Sequence, residues 1–180
     1  MIYVFLADGF EETEAIAPID LLRRSGKKVI TVGVGDNMVT SSHGVTVVTD
    51  TIAQEAPLTD ELEMIVLPGG MPGTLNLEKS PYVQAAIDFC VSNNRFVGAI
   101  CAAPSILGHK GLLSGRKAVC YEGFEAQLAG AEVGTEPVVC DGIFITSRGA
   151  GTAIEFGLAL VEKAVSKAES DRQRKAIMCF

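Results

Sequence analysis

The sequence predicts an α/β protein whose mostly parallel sheet is covered by helices on both faces. Three observations predict it. Strand-like and helix-like segments alternate along the chain, as in successive βαβ units. Runs such as Met64-Ile65-Val66-Leu67 read as short buried strands. No linker, low-complexity tract or internal repeat interrupts the alternation, so residues 1–180 read as one domain.

Taken in order, residues 1–7 read as a strand, 13–25 as a helix and 28–34 as a strand. Residues 38–50 read as a hairpin whose arms, 38–42 and 45–49, flank His43-Gly44. Residues 64–67 form the next strand. The helix at 82–91 places Val83, Ala86, Ile87 and Cys90 on one face. A strand at 96–100 and a helix at 102–109 follow, then strand-like pieces near 117–120, 131–140 and 143–147. A helix over 151–165 and a polar helix over 167–177 close the chain.

Hydrophobic residues make up 48% of the chain and charged residues 21%, which excludes a disordered polypeptide. The net charge is −7, from 15 basic and 22 acidic residues. No basic stripe is present, so neither nucleic acid nor an anionic membrane is an expected partner. The apolar N-terminus meets Asp8 at once and lacks a basic leader, so it reads as a first strand and not a signal peptide. No apolar run approaches the roughly 18 residues of a membrane span. The five cysteines are odd in number and form no CxxC pair. That favours free thiols in a cytoplasmic protein over a disulfide framework or a zinc site.

The segment from Phe96 to Leu107 carries the chemistry. A β-forming run ends on Cys101, Ala102 and Ala103 follow, and Pro104 suits a helix's first turn. This reads as a strand, a tight turn and a helix with a thiol at the corner, the geometry of a nucleophile elbow. The helix N-terminus is expected to favour the thiolate and to depress its pKa.

Ligands of an open parallel sheet bind outside the carboxyl ends of its strands. Four unusual stretches follow strands here: residues 7–14, 68–73, 101–103 and 147–151. In a parallel sheet they converge. The N–H groups of Gly69-Gly70 and Ala102 then become oxyanion-hole candidates facing Cys101. Glu11 and Glu12 suit the positive end of the first helix. Glu14 lies one turn further, on the side of Ala17, Pro18 and Leu21, so it is expected to point inward with a raised pKa and to share a proton with the thiol. Arg148 reads as a structural tie between loops. Of the two histidines, His109 is about 12 Å along the helix from Cys101, and His43 sits at a hairpin tip. No Cys-His dyad is legible.

The stretches Asp8-Gly9-Phe10-Glu11-Glu12-Thr13-Glu14, Leu22-Arg23-Arg24-Ser25-Gly26, Val66-Leu67-Pro68-Gly69-Gly70, Ala99-Ile100-Cys101-Ala102-Ala103-Pro104 and Thr146-Ser147-Arg148-Gly149 together resemble the ThiJ/PfpI superfamily, also called the DJ-one family. The likeness is greatest to its Parkinson disease protein seven, or deglycase, branch. The resemblance implies a flavodoxin-like, class I glutamine amidotransferase-like sandwich and a homodimer. It implies Cys101 as a nucleophile on a strained backbone, Glu14 as its hydrogen-bonding partner, and Gly70 and Ala102 as oxyanion donors. It places Arg24 and His43 near the site entrance and a dimer interface.

The implied activities are glutathione-independent glyoxalase, deglycase, oxidative-stress sensor or chaperone. The substrate would be a small aldehyde or dicarbonyl, with no metal or organic cofactor. Two departures stand out. The protease-like branch has histidine directly after the cysteine, where this chain has Ala102. A histidine common after the strand beyond the elbow has no counterpart in the matching stretch Cys120-Tyr121-Glu122-Gly123-Phe124, where Tyr121 can hydrogen-bond a substrate oxygen but is a poor base near neutral pH. Slow glyoxalase turnover is therefore expected. A dicarbonyl-handling enzyme leads, a redox sensor or holdase is the alternative, and a cysteine hydrolase comes last.

Overall fold

The computed structural model describes residues 1–179. Its elements in chain order are β1 (Ile2–Leu6), α1 (Glu12–Arg24), β2 (Val29–Gly33), β3 (Met38–Thr40), β4 (Thr46–Val48), β5 (Thr51–Ile52), β6 (Met64–Leu67), α2 (Gly73–Lys79) and α3 (Pro81–Ser92). They continue as β7 (Phe96–Ile100), α4 (Pro104–His109), β8 (Lys117–Ala118), β9 (Glu132–Val133), β10 (Val138–Asp141), β11 (Phe144–Ser147), α5 (Ala153–Ala164) and α6 (Lys167–Ala176).

Seven strands form the central sheet in the order β10-β11-β7-β6-β1-β2-β5. All neighbours pair in parallel except β10, which runs antiparallel to β11 at one edge. The chain starts in the middle at β1, winds one way to β2 and β5, and the other way through β6, β7 and β11. The strand order therefore reverses beside β1, and the crevice for a ligand opens at the carboxyl ends of β1 and β6.

Alternating side chains of the buried strands build two cores. Tyr3, Phe5, Ile65, Val97 and Ala99 pack with α3 and α4 on one face. Ile2, Val4, Val66, Ile100 and Ile145 pack with α1 and α5 on the other. The period-two alternation of β-structure assigns these residues to opposite faces.

Most predicted elements match. The piece expected at 131–140 is instead two strands in different sheets. β9 pairs with β8 in a small separate sheet, while β10 joins the main one. Gly134 and Pro137 lie between them and interrupt any continuous strand. The helix expected from 102 begins only at Pro104, because residues 101–103 form the turn. Helix α2 and the two-residue β5 had no expectation, being too short to show a period.

Candidate active site

The four loops do meet at one edge. They leave the carboxyl ends of β1, β6, β7 and β11, which are neighbours in the sheet. Cys101 follows β7 with φ of 65°, a conformation that L-residues avoid and that costs about 1–3 kcal/mol. Neighbouring loops hold it there. Its N–H donates to Ser147 O (2.9 Å), and its O accepts from the Tyr121 N–H (2.8 Å).

Glu14 is in the first turn of α1 and is 1% exposed. Glu11 is the N-cap, its carboxylate accepting from the Glu14 N–H at 2.7 Å, so its charge serves the helix terminus. Glu14 Oε2 in turn accepts from the Gly69 N–H at 2.9 Å. Burial pushes the Glu14 carboxyl up to about 7, partly offset by hydrogen bonding with Cys101 and the N–H groups of Gly69 and Ala150.

The thiol corrects an expectation. Burial pushes Cys101 up to about 12, and the charge of Glu14 and the hydrogen bond to it act in the same direction. The N–H groups of Ala102 and Gly70 favour the thiolate but do not prevail. The dipole argument fails because α4 is six residues long and starts three residues beyond the thiol. Two anions side by side in a buried site repel strongly, so above about pH 7 the pair carries a single proton between Oε and Sγ. The arrangement with that proton on Glu14 and the charge on sulfur is the nucleophilic one.

Gly69 is a second correction. It was expected among the oxyanion donors, but its N–H is engaged by Glu14. A Cβ there would stand 2.6 Å from both Cys101 Cβ and Glu14 Oε2, so its role is to let the pair close. Gly70 has φ of 91°, and a Cβ would meet Glu11 N at 2.4 Å. Its glycine conformation turns the N–H towards the thiol.

The Tyr121 ring borders Gly149. Its ring carbon Cδ2 would lie 3.4 Å from a Cβ on Gly149, which would itself lie 3.8 Å from Glu14 Oε1. Tyr121 and Gly149 line one cleft with Glu122, Arg148 and Ala150. Arg24 does not reach the site within the chain. It lies ten residues beyond Glu14 on α1, about 15 Å along the axis, and pairs with Asp20 at 2.6 Å. His43 is exposed, and its Nδ1 is 3.1 Å from Glu12 Oε2. The hairpin tip is held on the β1–α1 loop by the Ser42 N–H, which donates to Phe10 O at 2.7 Å.

Glu11, Glu12 and His43 offer ligand atoms within 4.8 Å of one another, but the helix cap and the Glu12–His43 pair already occupy them. His109 pairs with Glu78 and is not a partner of Cys101. Reading the sequence missed the Ala150 N–H on Glu14; a backbone donor leaves no side-chain signal. Among the described residues no helix is long and apolar enough to cross a membrane.

Comparison with known proteins agrees with this architecture. The DJ-1/PfpI family model matches residues 1–163. The chain is 37% identical over 179 residues to Protein dj-1beta of Drosophila melanogaster, covering 97% of this chain and 95% of that protein. It is 32% identical to the glutathione-independent glyoxalase DJ-1 of Schizosaccharomyces pombe, covering 91% of each. The structure of oxidized Toxoplasma gondii DJ-1 superposes with a TM-score of 0.93 at 32% identity, over 98% of this chain and 97% of that one. A family match over most of the length, coinciding with a thiol elbow set against a buried carboxyl, places this chain in the DJ-1/PfpI family.

Proposed function

We propose that this protein is a cysteine-dependent enzyme acting on small reactive dicarbonyls or their adducts, with Cys101 as nucleophile and Glu14 as proton shuttle. The observation that carries the reading is the juxtaposition of the Cys101 thiol and the buried Glu14 carboxyl across Gly69. A thiol on a strained turn faces a buried carboxyl whose pKa is raised to about 7, a value suited to both giving and taking a proton near neutrality. The S. pombe relative that bears the name glyoxalase supports the same reading.

The steps follow from the groups present. With its proton on Glu14, the Cys101 sulfur adds to the aldehyde carbon of methylglyoxal. The resulting oxyanion faces the Gly70 and Ala102 N–H groups and takes the Glu14 proton, giving a hemithioacetal. The Glu14 carboxylate removes the remaining hydrogen from that carbon as a proton, giving an enediolate, and returns it to the adjacent carbon, while the hydroxyl proton on the first carbon's oxygen passes to the second oxygen and the first carbon becomes the carbonyl. The product is a thioester of lactate. Water hydrolyses it, releasing lactate and restoring the thiol. In this reading the Tyr121 phenol donates a hydrogen bond to the second carbonyl oxygen.

A second reading has its own support. A protonated Glu14 and two N–H donors suit a sulfinic acid on Cys101, and the T. gondii relative is described as oxidized. One experiment separates the two. Lactate formed from methylglyoxal by the native protein, and abolished in Cys101→Ser, supports turnover. No lactate, together with two oxygens added to Cys101 under mild peroxide, overturns it in favour of sensing.

A further inference from the structure

We propose that Thr152 is a positioning residue of the Cys101–Glu14 pair: its hydroxyl clamps the turn of residues 149–152, so that the Ala150 N–H is held on the Glu14 carboxyl. The inference rests on the reading of Glu14 as the proton partner of Cys101. The turn follows β11 and leads into α5. Ala150 is flanked by Gly149 and Gly151, which leave the local backbone free to take other conformations. Ala150 and Gly151 are exposed, so packing does not fix them. Yet Ala150 supplies an N–H to Glu14, and a Cβ on Gly149 would lie 3.8 Å from Glu14 Oε1. The turn lies against the buried carboxyl and needs another hold.

Thr152 provides that hold. Its N–H donates to Gly149 O at 2.8 Å, and its Oγ1 accepts from the Gly149 N–H at 3.2 Å. Thr152 Oγ1 is also 2.9 Å from Gly149 O and 2.7 Å from Ser147 Oγ, and Ser147 Oγ is 2.8 Å from Pro137 O. Two hydroxyl protons serve these contacts. With the Thr152 proton on Ser147 Oγ and the Ser147 proton on Pro137 O, every donor in the chain is used, and Gly149 O keeps the Thr152 N–H. Ser147 is the fixed end of this chain. It belongs to β11, is 0% exposed, and accepts from the Cys101 N–H through its carbonyl at 2.9 Å. One hydroxyl thus ties the turn that serves Glu14 to the strand that holds Cys101. The other groups facing Glu14 are the Cys101 thiol, the Glu11 carboxylate and the Gly69 N–H. Among the described residues Thr152 hydrogen-bonds none of these three.

The pH profile of Cys101 alkylation by iodoacetamide tests the proposal without any turnover. An N–H on a carboxylate favours its charged form. Thr152→Val keeps the side-chain volume and removes the hydroxyl, so the Ala150 N–H is no longer held and the carboxyl keeps its proton to higher pH. The midpoint of the rise in rate, near pH 7 in the wild type, is expected to move up by about one unit, the effect of one hydrogen bond to a charged group. Thr152→Ser keeps the hydroxyl and is expected to restore the wild-type profile. In the Glu14→Gln background there is no such rise to move, and Thr152→Val is expected to leave the profile as it is. All rates are taken well below the lowest melting temperature of the set, so that every variant is folded, and Thr152→Ala repeats the test with a smaller side chain. The plainer role of Thr152 is a brace for the start of α5. A lowered melting temperature with an unmoved midpoint would show only that brace and overturn the proposal. An equal shift in Thr152→Ser, or a shift that persists without Glu14, would overturn it as well. If Glu14→Gln alone leaves the wild-type profile unchanged, the reading of Glu14 fails and the proposal with it, a result distinct from an unmoved midpoint in Thr152→Val.

Discussion

Glu14 is the residue on which the site's pH behaviour turns. Its carboxyl is raised from 4.5 to about 7 in a position 1% exposed, so the folded state holds the proton more tightly than the unfolded chain. The stability this contributes is complete below about pH 4.5 and is lost as the pH rises through about 7. It amounts to roughly 3 kcal/mol, at about 1.4 kcal/mol per pKa unit. Glu14→Gln removes that dependence while keeping the shape. Urea titrations of both proteins at pH 5 and pH 8 should show the variant gaining about 2 kcal/mol on the wild type over this interval. Alkylation of Cys101 in the wild type should accelerate through about pH 7, as the pair loses its first proton, and the variant should lack this inflection. Parallel stability changes and identical alkylation profiles would remove Glu14 from the pair.

At the scale of elements, the pair depends on how α1 and α5 pack. α1 carries Glu14, and the turn before α5 supplies the Ala150 N–H. The helices touch at Gly157, where a Cβ would meet Leu21 Cδ1 at 2.6 Å and Pro18 Cα at 3.2 Å. The leucine end can shift, but the Pro18 backbone cannot shift without moving α1. Gly157→Val is therefore expected to destabilise the fold by about 1–3 kcal/mol through overpacking, measured by chemical denaturation. It should also blunt the Glu14-dependent inflection in Cys101 alkylation, because α1 moves relative to the β6 loop. A variant as stable as the wild type would show that the interface tolerates the added volume.

Across the whole molecule, the β3–β4 ribbon stands apart from the main sheet and exposes Met38 at 59%, Val45 at 49% and Val48 at 70%. An apolar ribbon beside the site is expected to be covered by a second copy of the chain. Light scattering at micromolar concentration should give twice the 19.0 kDa chain mass, and Val48→Glu should shift the protein towards monomer. A 19.0 kDa particle for the unmodified chain would refute the homodimer. The dimer would also give Arg24 and His43 a route to a site that Arg24 does not reach within its own chain.

The sequence by itself determined the order of the main strands and helices, though not the short α2 and β5 or the division of 131–140, together with the convergence of four loops, the elbow at Cys101 and the inward turn of Glu14. These follow from local pattern: apolar runs, helical spacing, and small residues around one cysteine. Only the tertiary structure decided three other matters. Gly69 serves Glu14 and not an oxyanion, because the β6 loop closes against α1 at 2.9 Å. The Ala150 N–H completes the carboxyl's shell from 136 residues away in sequence, and a backbone donor has no side-chain signature. The thiol's pKa moves up and not down, because burial and a neighbouring carboxylate outweigh a short helix's dipole. Burial and long-range juxtaposition are properties of the packed molecule, and no local window of residues encodes them.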